Sequence, residues 1–218
     1  MKLKTLLIIT IALLLALVGC SRKTETTQNL VSQDKFIDEI KTIIEEQSES
    51  KMLLKEIRYD QLFSISFKNK ELLIIHDKNC FRRLTNFIVL EKTDNEYTLK
   101  LSRNNIENFY FDINGFIVLE TKFIGVGTGS CSSSYLVYND DYKLVLNKVK
   151  KSVDAKYNTD KIYQTFATLS INNRELTYHT QNITLDNTTA ISFTENIEQF
   201  EYDITNCLFK QKSPQTNP

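Results

Sequence analysis

The chain has 218 residues, and its 27 Lys and Arg balance its 27 Asp and Glu, for a formal net charge of zero. Nothing in that balance points to a nucleic-acid partner or to a polybasic membrane patch. The length allows one domain, or at most two small ones, with a core of useful size. At the start of the chain Lys2 and Lys4 precede an apolar run that closes on Leu17-Val18-Gly19-Cys20. Thr5 to Gly19 supplies 15 residues. A spanning helix needs about 20, and polar Ser21-Arg22-Lys23 follow at once.

This order of basic residues, short apolar core, small residue and Cys resembles the lipobox of bacterial lipoproteins. The resemblance covers residues 1–20. It implies a signal peptide over 1–19 recognised through Leu17, Val18 and Gly19, a diacylglyceryl group on the Cys20 sulfur, and cleavage between Gly19 and Cys20. Two or more palmitate-type acyl chains, at about 0.8 kcal/mol per buried methylene, hold a protein stably where one chain is marginal. Cell-envelope localisation follows from the resemblance. In a diderm cell that means the outer membrane, facing the periplasm or the surface, since Ser21 rather than Asp follows the Cys. In a monoderm cell it means the outer face of the cell membrane. Removing Lys2 and Lys4 leaves 25 basic against 27 acidic residues, a formal charge of −2.

Residues 20–34 comprise the lipidated Cys and a polar, aperiodic tether, SRKTETTQNLVSQD, whose 14 residues span roughly 45 Å when extended. From Lys35 the pattern changes. Phe36, Ile37, Ile40, Ile43 and Ile44 recur at helical spacing opposite Asp38, Glu39, Lys41, Glu45 and Glu46, which predicts an amphipathic helix capped by Ser32 or Asp34. Met52 to Ile57 extends it after a break near Ser48.

Beyond Tyr59 the period becomes two. Phe63, Ile65 and Phe67 pair through Lys68-Asn69-Lys70 with Glu71 to His76, and Asn86 to Glu91 is followed by Tyr97 to Leu101. Asn108 to Ile113 and Phe116 to Ile124 flank Asn114-Gly115, which predicts a type I′ hairpin turn. Tyr135 to Tyr138 and Tyr142 to Val149 flank Asn139-Asp140-Asp141. Lys150 to Thr159 reads as a short helix or connector. Ile162 to Ile171 and Glu175 to Gln181 flank Asn172-Asn173-Arg174, and Ile183 to Leu185, Ala190 to Phe193 and Phe200 to Leu208 complete the strands. Residues 213–218 read as a disordered tail. The fold class is α+β: an N-terminal amphipathic helix packed on one mainly antiparallel, curved β-sheet in a single domain over 35–212, with a sandwich or partial barrel as alternatives.

All four glycines beyond Gly19 fall between Gly115 and Gly129. The segment Gly125, Val126, Gly127, Thr128, Gly129, Ser130, Cys131 alternates Gly with small residues, exposing backbone donors and hydroxyls. It is the candidate binding loop. It lacks the Gly-Lys-Ser/Thr ending of a phosphate loop, and a bulged strand connection is the structural alternative. Asp112-Ile113-Asn114-Gly115 with the strand after it resembles one repeat of the integrin-type (FG-GAP) β-propellers. A second copy and a full calcium-loop ligand set are missing from the chain, so it reads as a hairpin signature.

Cys80, Cys131 and Cys207 remain after the anchor. One disulfide allows three pairings, of which Cys80 with Cys131 joins two polar, loop-like segments. Three reduced thiols is the other reading. His76 and His179 have no ligand-spaced companions, so neither a metal nor another cofactor is expected. Glu45 to Glu49 and Glu195 to Asp203 read as solvated faces. No catalytic motif assembles, and the expected function is a membrane-anchored, non-enzymatic module that binds a protein or envelope component and no nucleic acid. A carrier of a lipid or other apolar ligand is the alternative, and an envelope hydrolase using Cys131 with His76 or His179 ranks third.

Overall fold

A computed structural model describes residues 33–47, 57–77, 85–122, 124–125, 130–155, 161–186 and 188–213. The lipobox, Cys20, the tether to residue 32, Cys80, Gly127, Thr128 and Gly129 lie outside the described residues, as do Met52 to Leu54. The chain divides into two compact units, Met1–Leu62 and Phe63–Pro218.

In the first unit residues 33–47 form helix α1, starting two residues before the apolar periodicity does. Ile40 and Ile44, one turn apart, are fully buried. Asp38, Glu39, Glu45 and Glu46 are exposed. The 3.6-residue period therefore sorts the side chains as the sequence predicts. A 3-10 turn over Tyr59–Gln61 follows, in which the Arg58 N–H donates to Gln61 Oε1 at 3.0 Å.

The second unit is antiparallel β-structure, and in place of the single expected sheet it contains two, neither closed into a ring. The first holds β1 (Leu62–Phe67), β2 (Lys70–His76), β3 (Thr85–Thr93) and β4 (Glu96–Asn104) in chain order. Its hairpins turn on Lys68-Asn69 and Asp94-Asn95, all four at positive φ, the backbone shape of a type I′ turn. At Asn105, φ +58°, the chain leaves this sheet for the second.

The second sheet contains β5 (Ile106–Phe111), β6 (Ile117–Thr121), β8 (Ser130–Tyr138), β9 (Leu144–Ala155), β10 (Lys161–Asn172), β11 (Glu175–Asp186), β12 (Thr189–Asp203) and β13 (Leu208–Gln211), side by side in that order. A two-residue strand β7 (Ile124–Gly125) pairs with the start of β8. The expected helix or connector at Lys150 to Thr159 is corrected over residues 150–155, which continue β9, with 151–155 paired to β10; residues 156–159 lie outside the described residues. The polar stretch Thr194 to Gln199 likewise does not interrupt the sheet, because β12 runs through it. Backbone pairing overrides weak side-chain patterning where the ladder extends beyond the core.

The Asn114-Gly115 turn is also corrected. Of these two residues only Gly115 has positive φ, at +101°. Asp112 Oδ2 accepts the Asn114 N–H at 2.8 Å, and the Gly115 N–H donates to the Asp112 carbonyl at 3.0 Å. An aspartate that caps its own turn favours a type I turn followed by a left-handed residue over the type I′ form.

Two apolar clusters share β6 as their common wall. Ile117 and Leu119 point to the first sheet, where they join Leu72, Ile74, Phe87, Val89 and Tyr138. Phe116 and Val118 point the other way, into a cluster with Val137, Leu176, Tyr178, Phe200 and Phe209. Four consecutive apolar residues are what a strand buried on both faces requires. The second cluster also shows that the sheet rolls. Six strand steps separate β6 from β13, about 29 Å in a flat sheet. Yet the Phe116 ring lies 5.1 Å from Phe209 and 4.9 Å from Tyr202. The sheet is an open, partial barrel held together by these three rings.

Truncating the staple tests its weight. Phe116→Ala is expected to cost about 3–5 kcal/mol in urea unfolding, the range for a buried Phe. Exposed Phe63→Ala should stay within about 0.5 kcal/mol. Equal effects would show that the rings do not hold the roll.

Candidate functional site

In a meander every second turn falls at the same end of the sheet. Rolling then gathers those turns, and here they enclose a cleft of about 770 Å³. Lys68 enters from the β1–β2 turn, Gly115 from β5–β6, Asp141 from β8–β9, Arg174 from β10–β11 and Tyr202 from the β12–β13 corner. Hairpins far apart in sequence thus supply a single concave surface.

Each wall has a local cause. Asn139 is 2% exposed and organises the β8–β9 turn. Its Oδ1 accepts the N–H groups of Asp141 at 3.2 Å and Lys143 at 2.9 Å, and its Nδ2 donates to Tyr202 Oη at 3.3 Å. The β12–β13 corner is wound about Asp203. Its carboxylate accepts the N–H groups of Thr205 at 2.9 Å and Asn206 at 3.2 Å, and it pairs with Lys210. The hydrogen bond from Lys210, then those from Asn206, hold the Asp203 carboxyl well below the usual carboxylate range. Lys68 lies across Gly115, where an added Cβ would come 2.9 Å from Lys68 Cε. The flexible end of Lys68 can move aside for a Cβ, so it is the positive φ of +101° that calls for glycine here.

A polar clasp beside the cleft joins the two sheets. Lys70 Nζ donates to the Asp140 carbonyl at 2.7 Å and lies 3.3 Å from Glu91 Oε2, while Tyr142 Oη donates to the same carboxylate at 2.6 Å. Partial burial works against the charged form of Glu91. The hydrogen bonds from Tyr142 and Lys70, with the Lys70 charge, outweigh it, and the carboxyl is held below its ordinary value. Burial, then the Glu91 hydrogen bond, push the Tyr142 phenol up.

The lining is polar and carries both signs of charge: Lys68 and Arg174 against Asp140, Asp141, Glu175 and Glu201. Arg174 is exposed and makes no side-chain ion pair or hydrogen bond among the described residues, whereas Glu175 is paired with Lys212. A guanidinium beside amides and carboxylates recognises polar, hydrogen-bonding groups. Burial and Cys207 raise the Tyr202 phenol, with the Asn139 amide acting the other way.

Of the glycine-rich segment, Gly125, Ser130 and Cys131 are described, and they lie at the opposite end of the second sheet. Gly125 belongs to β7, and Ser130 and Cys131 belong to β8 rather than to a loop. Cys131 faces Gly125 on one side and Val153 on the other. Cys131 and Cys207 are free thiols. His76 is buried in the core between Phe87 and Phe109, with Nε2 3.2 Å from the Ile106 carbonyl. His179, on β11, is three strands from Cys131, on the order of 14 Å by strand spacing alone. It lies 3.8 Å from Glu195. The structure therefore does not bring Cys131 and His179 together. Among the described residues no three or more His, Cys, Asp or Glu gather in a metal-binding group.

The cleft was missed in the sequence, although a signal was present. Asn114-Gly115, Asn139-Asp140-Asp141 and Asn172-Asn173-Arg174 are alternate turns of one meander, and alternate turns share an end. No protein-family model matches the chain, and no curated protein matches it in sequence.

The clasp predicts a pH signature. Because the folded-state pKa of Glu91 is lowered, its contribution is present above the ordinary value near 4.3 and is lost as pH falls through the folded value. Tyr142→Phe is expected to cost about 1 kcal/mol at pH 7, measured by urea unfolding, and less below pH 4. The same cost at every pH would show that the hydroxyl does not act through the carboxylate.

Proposed function

We propose that this chain is a bacterial lipoprotein anchored in the cell envelope through Cys20, with its β-domain serving as a non-catalytic binding module. The ligand is a polar segment of a protein or an envelope component, received at the turn cleft. The lipobox resemblance supports the anchor. One observation carries the binding reading: turns of both sheets converge on a cleft whose lining is mainly amide, carboxylate, ammonium and guanidinium.

This lining favours a polar ligand over the apolar one that a lipid carrier would hold, since apolar ligands need predominantly hydrophobic walls. The reading with Cys131 as a nucleophile gains no support, because His76 serves the core and His179 lies strands away. In the same proposal the tether gives the folded body its reach from the bilayer.

Two experiments test the proposal separately. Cys20→Ser should move the protein from the membrane fraction to the soluble fraction, and globomycin should block appearance of the mature form. Mature protein persisting under globomycin would contradict the anchor. For the cleft, Arg174→Glu combined with Asp141→Lys should reduce capture of partners from detergent-solubilised envelope by about tenfold or more, with unchanged thermal unfolding. Gly127→Val and Cys131→Ser are the opposing arm. Loss with these two, and none with the cleft pair, would move the site to the glycine-rich segment.

A further inference from the structure

The open outer edge of β12 is a separate surface from the cleft. β12 runs over Thr189–Asp203, but β13 pairs only with Phe200 to Asp203. Among the described residues the remainder of β12 has β11 on one side and no strand on the other. The Lys212 N–H donates to the Gln199 carbonyl at 2.8 Å, so Gln199 directs its backbone groups outward. Backbone direction alternates along a strand, which gives Phe193, Glu195 and Ile197 the same outward-facing N–H and C=O groups. The inward carbonyl of Asn196, which accepts from Thr180 Oγ1 on β11, agrees with this phase. The alternation ends at a register shift, which leaves Ile191 without a partner on β11.

The side chains of these residues share one face. Phe193 is 56% exposed and Ile197 62% exposed, with Glu195 between them, accepting from Gln181 Nε2 at 2.8 Å and lying 3.8 Å from His179 Nε2 while about half of its side chain stays exposed. Unpaired backbone groups beside exposed apolar side chains form a template for another strand.

We propose that this edge receives an extended strand of another protein by β-augmentation, with apolar residues opposite Phe193 and Ile197 and a Lys or Arg opposite Glu195. Charge selects this occupant over a second copy of the chain. The two-fold antiparallel register that sets Phe193 against Ile197 of a second copy also sets Glu195 against Glu195, and like charges directly opposite are unfavourable. Shifting that pairing by two residues places Glu195 opposite an apolar side chain. A Lys or Arg in the partner strand adds a full positive charge beside the half-exposed Glu195 carboxylate, next to its Gln181 and His179 contacts, while both apolar pairs form.

The test uses the full-length chain with two capped peptides of alternating Val and Thr, one with a central Lys and one with a central Glu. The Lys peptide is expected to slow hydrogen exchange at the Phe193, Glu195 and Ile197 amides and to bind about tenfold more tightly than the Glu peptide. Glu195→Lys should reverse that preference. Ile197→Pro removes an outward N–H while sparing the inward ladder donors, and should abolish binding of the Lys peptide. Glu195→Lys also serves as the variant that keeps the backbone intact if the Pro variant fails to fold. Unprotected amides at saturating peptide would overturn the proposal. So would equal affinity for both peptides, or protection of the same amides by dimerisation without peptide, which would assign the edge to a second copy.

Discussion

The rolling of the second sheet is the constraint on which the rest depends, and three aromatic rings hold it. Phe116, Tyr202 and Phe209 sit in mutual contact, with centroid separations of 4.9 to 5.2 Å. An antiparallel sheet of this width twists by itself, but twist alone does not return its last strand to its second. Burial of ring surface from both ends of the ladder supplies the closing force, since each large aromatic removes 150–250 Å² from water. β13 also comes back against β9, so the roll is supported along more than one line.

With the roll in place, the cleft follows from topology. The turns at this end are polar because they must be solvated and must take unusual backbone shapes. Asn139 and Asp203 satisfy their turns' N–H groups with their own side chains, which leaves the remaining polar groups of the turns directed at the cleft. The Lys70, Glu91 and Tyr142 clasp fixes the first sheet against this mouth. The sheets also meet through Arg103 Nε, which donates to Tyr138 Oη at 2.5 Å. The cleft is thus a polar rim over two packed apolar clusters. The carboxylate-rich stretch of β12 has a dual character within this frame. Glu198 pairs with Lys148 at 2.8 Å, while Glu195 accepts from Gln181 Nε2 at 2.8 Å and keeps about half of its side chain exposed.

Local chemistry was legible in the chain itself. Period-two alternation marked most strands, and the turn residues at Lys68-Asn69, Asn139 to Asp141 and Asn172 to Arg174 marked their hairpins, because both signals act between neighbours. The helix over 33–47 was visible for the same reason: Ile40 and Ile44 are one turn apart. Where side chains were polar but the ladder continued, as at Lys150 to Ala155 and Thr194 to Gln199, the same signals ended the strands too early. Hydrogen bonding to the adjacent strand is invisible to a pattern of side chains.

Tertiary structure alone decided which turns meet. Phe116 and Phe209 are 93 positions apart in the sequence, and no local rule pairs them. The split into two sheets at Asn105 and the placement of Cys131 at the far end from the cleft were decided in the same way. Each is a choice among long-range contacts, settled by shape and burial rather than by neighbouring residues. The chain specified its hairpins through neighbours, while packing between distant strands chose the roll and with it the site.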